Sequence, residues 1–310
     1  MIIGKFAEDG SDLLWVTYYG DSINDFCFCL DVDSEDNIIV GGVTNSPNIT
    51  LVNPIQDEFG GGFHDMMVAK INPEGTGLVF STFYGGNRTD WMLTLRLDSH
   101  DNIWFGGYTD SSDYPVKDAY QGTFNGGSDC VVTQVSASGV LTASTFIGMV
   151  GTEQAYGIGF DSHDNAIVVG RTSSDDFPVH DGALQGNLSG STDAFVLNMT
   201  QDFQSIPRCT LFGGSSTEMG EAIEVTKEGT IIIAGTTDSD DLVTSTGVLQ
   251  ENYGGSRDIF ILWNPLGCPY ESNSTDHPST VDTSPLGLGA VIGCAVLVTG
   301  VVLLAVRRRH

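Results

Sequence analysis

The sequence predicts an all-β protein assembled from about four repeats, each of which forms a four-stranded antiparallel sheet. Three observations support this prediction. The apolar residues come in short runs separated by Gly, Asp, Asn and Ser, and 39 of the 310 residues are glycine, a pattern typical of strands joined by tight turns. Marker residues recur at nearly constant spacing, and every repeat holds four segments of strand length.

Three sets of marker residues define the repeat. A glycine after an aromatic or apolar pair, a glutamine, and an aspartate before an apolar strand each recur at steps of 63 to 65 residues. Because the three sets keep one register over four units, they indicate a true internal repeat. The markers are Gly20, Gly85, Gly148 and Gly213; Gln56, Gln121, Gln185 and Gln250; and Asp65, Asp129, Asp193 and Asp258.

The four strands of a unit are clearest in the second repeat, as "WMLTLRL", "NIWFGGYT", "CVVTQVS" and "VLTASTFIG". The turn "DSHDN" joins the first two strands, and "ASG" joins the last two. Four strands that meander through short turns are typical of one blade of a β-propeller. A β-helix needs much shorter repeats, and helical repeats would show a 3.6-residue period that is absent here.

We expect the propeller to cover residues 1–265. Its units are 20–84, 85–147, 148–212 and 213–265, and residues 1–19 supply strands of a neighbouring blade. Two arrangements are open at this stage. Either Leu13–Tyr19 completes the last unit and closes a four-bladed ring, which removes a free sheet edge, or the chain is the C-terminal part of a longer propeller protein. A further strand before Leu13 has no place in a four-bladed ring and favours the second arrangement.

The letters Ser99-His100-Asp101 suggest a catalytic triad, and they recur at 162–164. The histidine position holds Glu35 in the first unit and Glu228 in the fourth. Residues adjacent in sequence rarely converge on one substrate, since triads are assembled from separate segments. Asp-Asn and Glu-Gly pairs tolerate positive φ in tight hairpins. The sequence therefore predicts turns at these positions and not active sites.

The segments "FYGGNRTD", "LDSHDNIWFGGYTDSSDYP" and "GGFHDMMVAKINPEGTGLVFSTFYGG" resemble the bacterial and archaeal β-propeller repeat family called SBBP. The resemblance covers roughly residues 1–265. It implies a propeller in a large exported or surface protein, and it brings no catalytic motif. The fourth unit departs most, because "VTKEGTIIIAGTTDSDDLV" lacks the Asp of "LDSHDN" and the Pro of "DYP".

The C-terminal part predicts a membrane anchor. Residues 266–285 are rich in Ser, Thr and Pro and predict a stalk. Residues 286–306 are 21 uncharged residues, enough for a transmembrane helix. Arg307–Arg309 follow at once. The positive-inside rule therefore assigns the basic tail 307–310 to the cytoplasm and the propeller to the outside of a single-pass plasma-membrane protein.

Two features of the termini complicate this topology. The start, "MIIGKFAEDG", lacks the apolar region of a signal peptide, which conflicts with export unless a signal lies upstream of this chain. A second interpretation of the tail is a cleaved sorting signal that begins at Pro285-Leu286-Gly287, although no LPxTG motif is present.

Charge limits the class of partner. Three of the 12 cationic residues are Arg307–Arg309, so residues 1–306 carry nine basic and 40 acidic side chains, a net charge of −31. Such a surface repels phosphate backbones and excludes nucleic acid as a partner. A rigid propeller held off the membrane favours a noncatalytic binding or adhesion module for a protein or glycan outside the cell. The alternatives are a surface enzyme that acts on polysaccharide or peptide at the propeller channel, and a C-terminal fragment of a larger propeller protein.

No cofactor is expected apart from Ca²⁺, for which acidic residues follow the second strand of units two to four. Closely spaced carboxylates suit Ca²⁺, which takes about 6–8 oxygen ligands. Solvated loops with Asx turns explain the same residues without a metal. The candidate ligands are Asp110, Asp113, Asp175, Asp176, Asp238, Asp240 and Asp241.

Five Asn-X-Ser/Thr sequons permit glycosylation if the protein is exported. Such triplets are frequent by chance in a chain rich in Asn, Ser and Thr. Asn273 in the predicted stalk is the best candidate, Asn48, Asn87 and Asn187 are further candidates, and Asn198 lies within a predicted strand.

Overall fold

The structure is a computed structural model and describes residues 1–266. The seventeen strands in this part of the chain all belong to antiparallel sheets, which confirms the all-β prediction. Numbered β1 to β17 in chain order, they are Ile2–Phe6, Leu13–Tyr18, Asp25–Val32, Ile38–Thr44, Asp65–Ile71, Leu78–Tyr84, Asp90–Leu97, Ile103–Thr109, Asp129–Val135, Leu141–Ile147, Glu153–Phe160, Ala166–Thr172, Asp193–Met199, Arg208–Phe212, Glu218–Val225, Ile231–Thr237 and Asp258–Trp263.

The strands form repeated sheets in which each strand pairs with its neighbours in sequence. The first sheet holds β3–β6, the second β7–β10 and the third β11–β14, while the fourth holds only β15–β17 and β1 and β2 form an N-terminal hairpin. The predicted unit of four meandering strands is therefore confirmed. In the described chain β2 pairs with β1 and not with β17, so the arrangement in which Leu13–Tyr19 completes the last unit is not observed.

Neighbouring sheets pack through the leading strand of each sheet. The leading strand β7 lies across β3, β4 and β5, β11 lies across β7, β8 and β9, and β15 lies across β11, β12 and β13. Between the first two sheets, Met66 and Val68 are buried in one cluster with Met92 and Phe105. Because sheets cover both sides of β5 and β9, every residue of these strands is buried, which explains their continuous apolar runs.

The turn after each leading strand is the tight hairpin predicted from "DSHDN". Asp101 has a φ of 60°, and the carboxylate of Asp98 accepts hydrogen bonds from the amides of His100 (2.9 Å) and Asn102 (3.0 Å). In the fourth sheet Gly229 takes the left-handed position with a φ of 81°. Local polar groups therefore satisfy the backbone amides of this segment, and the Ser-His-Asp sequence forms a turn.

One turn carries an aromatic residue where its equivalents carry glycine. Gly139 leaves room for the ring of Phe80 from the preceding sheet, since a Cβ there would lie 2.5 Å from Phe80 Cδ2. The next sheet has Phe203 at this position, buried and with a φ of 58°, and the residue equivalent to Phe80 is the small Ala143. Phe203 stacks on Trp104, with ring centroids 4.9 Å apart. The ring that fills the space between sheets therefore comes from the preceding sheet at one junction (Phe80) and from the following sheet at the next (Phe203).

The predicted anchor lies outside the described residues. This holds for the stalk beyond residue 266, for the transmembrane helix 286–306 and for the basic tail 307–310. Within residues 1–266, no helix has the length and apolar character that a membrane span requires.

Candidate functional site

Within residues 1–266, the acidic residues predicted as Ca²⁺ ligands do not gather at one site. Asp110 accepts a hydrogen bond from Ser128 Oγ (2.5 Å), and Asp113 accepts one from the amide of Asn87 (2.9 Å). These carboxylates tie the loop that follows the second strand to neighbouring loops, and that contact explains their position without a metal.

The remaining acidic candidates either bond to a neighbouring residue or are exposed. Asp241 accepts a bond from the amide of Ser215 (2.8 Å), and Asp238 pairs with Arg257 at 2.7 Å. Asp175, Asp176 and Asp240 are exposed. Among residues 1–266, no three His, Cys, Asp or Glu side chains come together as a metal site, so the Ca²⁺ prediction has no cluster to support it.

The predicted glycosylation sites differ in setting. Asn48, Asn87 and Asn187 are exposed in loops. Asn198 lies half-buried in β13, as expected for the poorest sequon. Asn273 lies outside the described residues.

The Ser-His-Asp turn forms a clamp, a polar contact that joins two neighbouring sheets. Ser99 Oγ donates to Asp164 Oδ2 of the third sheet (2.5 Å), and His100 Nδ1 lies 3.1 Å from both groups. In a triad the imidazole bridges acid and nucleophile with its two different nitrogens, whereas here one nitrogen faces both. Ser34 makes the same contact to Asp101 with no histidine, so the role is structural.

The marker Gln and Asp residues of the repeat hold the long loop before the third strand. Gln121 Nε2 donates to Asp129 (3.1 Å), and its Oε1 accepts from the amide of Gly148 (3.1 Å). The equivalent pairs are Gln56 with Asp65, Gln185 with Asp193, and Gln250 with Asp258. These markers therefore explain the fold and point to no ligand.

Buried carboxyl groups meet where the first two sheets join. Asp90 accepts hydrogen bonds from the hydroxyls of Thr109 and Ser111, and burial raises its pKa to about 6. Burial, with a smaller contribution from Asp90, raises the pKa of Asp65 to about 7. Asp65 Oδ1 is buried and has no hydrogen-bond partner within residues 1–266. The ionised form of this group is therefore costly in the folded state.

A polar groove opens beside this junction. Gly62 lines it with a φ of 64°, and a Cβ there would lie 2.2 Å from the backbone of Arg88, so only glycine allows the two loops to approach. Arg88 is exposed, and its guanidinium makes no hydrogen bond or ion pair within the described chain. The groove, of about 450 Å³, is lined by Gly62, Asn87, Arg88, Thr89, Asp110, Gly127 and Ser128.

Aromatic side chains cluster next to the groove. The members of this aromatic cluster are Phe26, Phe28, Phe63, His64, Trp91 and Tyr108. Phe63 directly follows Gly62 of the groove and is 68% exposed. His64 is buried edge-on against Trp91, with ring centroids 4.8 Å apart, and Trp91 lies nearly parallel to Tyr108, at 6.4 Å and 8°. The cluster presents partly exposed aromatic faces beside unused polar groups.

His64 occupies a position at which every unit carries a different residue. The residue before the third strand is Ser128, Thr192 or Arg257 in the other units. Burial lowers the pKa of His64, and its Nδ1 has no partner within residues 1–266. Sequence reasoning missed this cluster, because its members come from neighbouring repeats and their positions hold no constant residue.

No family model and no curated protein matches the chain. Among solved structures, the chain is similar to a crystal structure of a protein of unknown function from Dyadobacter fermentans DSM 18053, at 9% sequence identity and a TM-score of 0.40. The match covers 69% of this chain and 57% of that one. The resemblance to the SBBP family therefore stays a prediction.

Proposed function

We propose that residues 1–265 form blades of a β-propeller of the SBBP type. The support is the regular stacking of meander sheets, in which each leading strand lies across the preceding sheet, as blades pack in a propeller. The shared turn, marker and clamp contacts at successive junctions add to this support. In such a scaffold, loops at the junctions are the usual place for binding.

We further propose that the protein is a noncatalytic binding module on the cell surface and that it binds a neutral glycan at the groove and the aromatic cluster. The observation that carries the proposal is the open polar groove next to partly exposed aromatic side chains at the junction of the first two sheets. There, the unpaired Arg88 and the exposed Phe63 face solvent together with half-buried Trp91 and Tyr108.

The chemistry of this surface suits a sugar chain. Flat aromatic faces pack against the apolar C–H faces of pyranose rings, while convergent polar groups fix orientation by binding hydroxyls. Arg88, Asn87 and Asp110 supply donors and acceptors in the groove. The net charge of −31 on residues 1–306 repels acidic polymers, which favours a neutral glycan.

The test is a titration of the full chain in detergent with neutral oligosaccharides of glucose, mannose, xylose and N-acetylglucosamine, by calorimetry. We expect Phe63→Ala and Arg88→Ala each to weaken binding about tenfold or more. Leu184→Ala is the matched control, since Leu184 is also exposed (60%) but lies in the third sheet's loop, and we expect it to leave affinity unchanged.

Two results would count against this proposal. Binding that is absent for every neutral glycan, or that survives both Phe63→Ala and Arg88→Ala, removes the groove as a glycan site. Retention of a peptide on an array, lost in the same two variants, would keep the site and replace the glycan by a peptide.

We also propose that the propeller is extracytoplasmic and anchored by residues 286–306. The apolar run and the three arginines that follow it support this topology. Protease added to intact cells should remove the propeller and leave the tail protected, whereas a fully protected chain would contradict the proposal.

A further inference from the structure

Each junction between sheets buries the same positions of the third strand. The second and fourth residues of this strand face the following sheet and are fully buried at every internal junction. These residues are Met66 and Val68, Cys130 and Val132, and Ala194 and Val196. In β17 the equivalent residues are Ile259 and Ile261, which are 77% and 69% exposed. Among residues 1–266, the fourth sheet therefore presents an uncovered copy of an interface that these residues form three times.

The opposite end presents the other half of the same interface. In each of the three four-stranded sheets, a cross-strand pair on the third and fourth strands faces the preceding sheet or hairpin and is buried there. These pairs are Met67 with Phe83, Val131 with Phe146, and Phe195 with Leu211. In the N-terminal hairpin the equivalent pair is Ile2 with Tyr18, and these side chains are 60% and 81% exposed.

We propose that these two faces bind each other between copies of this chain, so that the fourth sheet of one copy packs on the N-terminal hairpin of the next. At the junctions of the first with the second sheet and of the second with the third, a face of the Met66 and Val68 type is covered by a sheet that carries a pair of the Val131 and Phe146 type. The uncovered face with Ile259 and Ile261 is thus built for a partner with the pair Ile2 and Tyr18. A second copy carries that pair.

The size and nature of the two faces support this partner. Trp263 extends the face of the fourth sheet, and Leu14 and Val16 extend that of the hairpin, and all three are more than half exposed. Contiguous exposed apolar side chains of this kind mark protein interfaces. The outer edge of β17 is also unpaired in the described chain, and an open sheet edge favours association.

The contact joins two different surfaces and is therefore heterologous. Heterologous contacts close into rings or extend into filaments. Neither face contains the groove or the aromatic cluster, which lie at the junction of the first two sheets. Self-association and glycan binding consequently fail or succeed independently.

The experiment is sedimentation velocity of the full chain in detergent at micromolar concentrations, with one variant for each face. Ile261→Lys blocks the fourth sheet, and Tyr18→Lys blocks the hairpin. We expect the unmodified chain to form dimers or larger species, and each variant alone to raise the apparent dissociation constant about tenfold or more. Both positions are exposed, so the folded monomer should tolerate the changes, and Ile261→Thr provides a milder second variant.

A mixture of the two variants gives the decisive result. Each variant retains the face that the other has lost, so an equimolar mixture should form heterodimers and no larger species. A monomeric unmodified chain overturns the proposal. It is also overturned if either variant alone associates as the unmodified chain does, since that indicates a symmetric contact or association through other residues, or if the mixture stays monomeric.

Discussion

The junction of the first and second sheets and the junction of the third and fourth share one plan and differ in a few side chains. Both place an acid at the start of the leading strand, Asp90 or Glu218, which accepts from a threonine hydroxyl at the end of the next strand. The aromatic cluster at the first of these junctions has His64, Trp91 and Tyr108. Their equivalents at the other are Thr192, Met219 and Thr236. The residues that the two junctions share maintain the fold, whereas the residues that differ are free to bind a ligand.

The largest expected effect concerns the buried cores of the two junctions. Phe105 and Ile233 occupy equivalent, fully buried positions. Phe105→Ala should cost about 3–5 kcal/mol and Ile233→Ala about 2–5 kcal/mol in free energy of unfolding. Because residues 1–266 cover the fourth sheet on one side only, Ile233→Ala should speed amide exchange in β15–β17 and spare the other sheets. Hydrogen exchange with urea unfolding measures both effects, and equal exchange in all sheets for both variants would contradict this expectation.

A smaller and equal effect is expected at the shared threonines. Thr109 donates to the buried Asp90, and Thr237 donates to the buried Glu218 (2.5 Å). Thr109→Val and Thr237→Val should each destabilise by about 1–3 kcal/mol, because a buried carboxylate loses a donor. The control Thr236→Val, on a half-buried hydroxyl, should cost less. A clear loss at one junction and none at the other would show that the two junctions are not built alike.

The pH dependence should distinguish the first junction. Burial raises the pKa of Asp65 to about 7 in the folded protein, against about 4 in the unfolded chain. The folded state therefore binds more protons between these values, and stability falls as pH rises through this window. Asp65→Asn should remove this loss and gain about 1–3 kcal/mol relative to the unmodified chain at pH 8, but little at pH 4. Chemical unfolding at both pH values provides the measurement, and a constant difference would refute the assignment.

The sequence predicts the repeat unit well because its turn chemistry is local. Asp101 lies in the predicted tight turn, and the markers Gln121 and Asp129 proved to bond each other. Contacts between sheets are harder to predict from the sequence, since they depend on which residues a neighbouring repeat brings close. For example, Phe203 occupies a position that holds glycine in other repeats, and its stacking on Trp104 of the neighbouring sheet explains this exchange.

The candidate site shows the same limit. Spacing along the chain suggested that the acidic loop residues gather around Ca²⁺, but Asp113 and Asp241 each bond a backbone amide of an adjacent loop instead. The aromatic cluster joins His64 of one repeat to Trp91 of the next. No spacing rule brings these two together, and the residue at the His64 position differs in every repeat.

The most direct test of the account is amide hydrogen exchange of the full chain with and without the tightest-binding neutral oligosaccharide. We expect protection confined to the groove and the aromatic cluster, in residues 60–64, 87–91 and 108–110, with the equivalent loops of the third and fourth sheets unchanged. Protection at the equivalent loops instead, or spread evenly over all junctions, would contradict the claim that the groove and the aromatic cluster form the binding site.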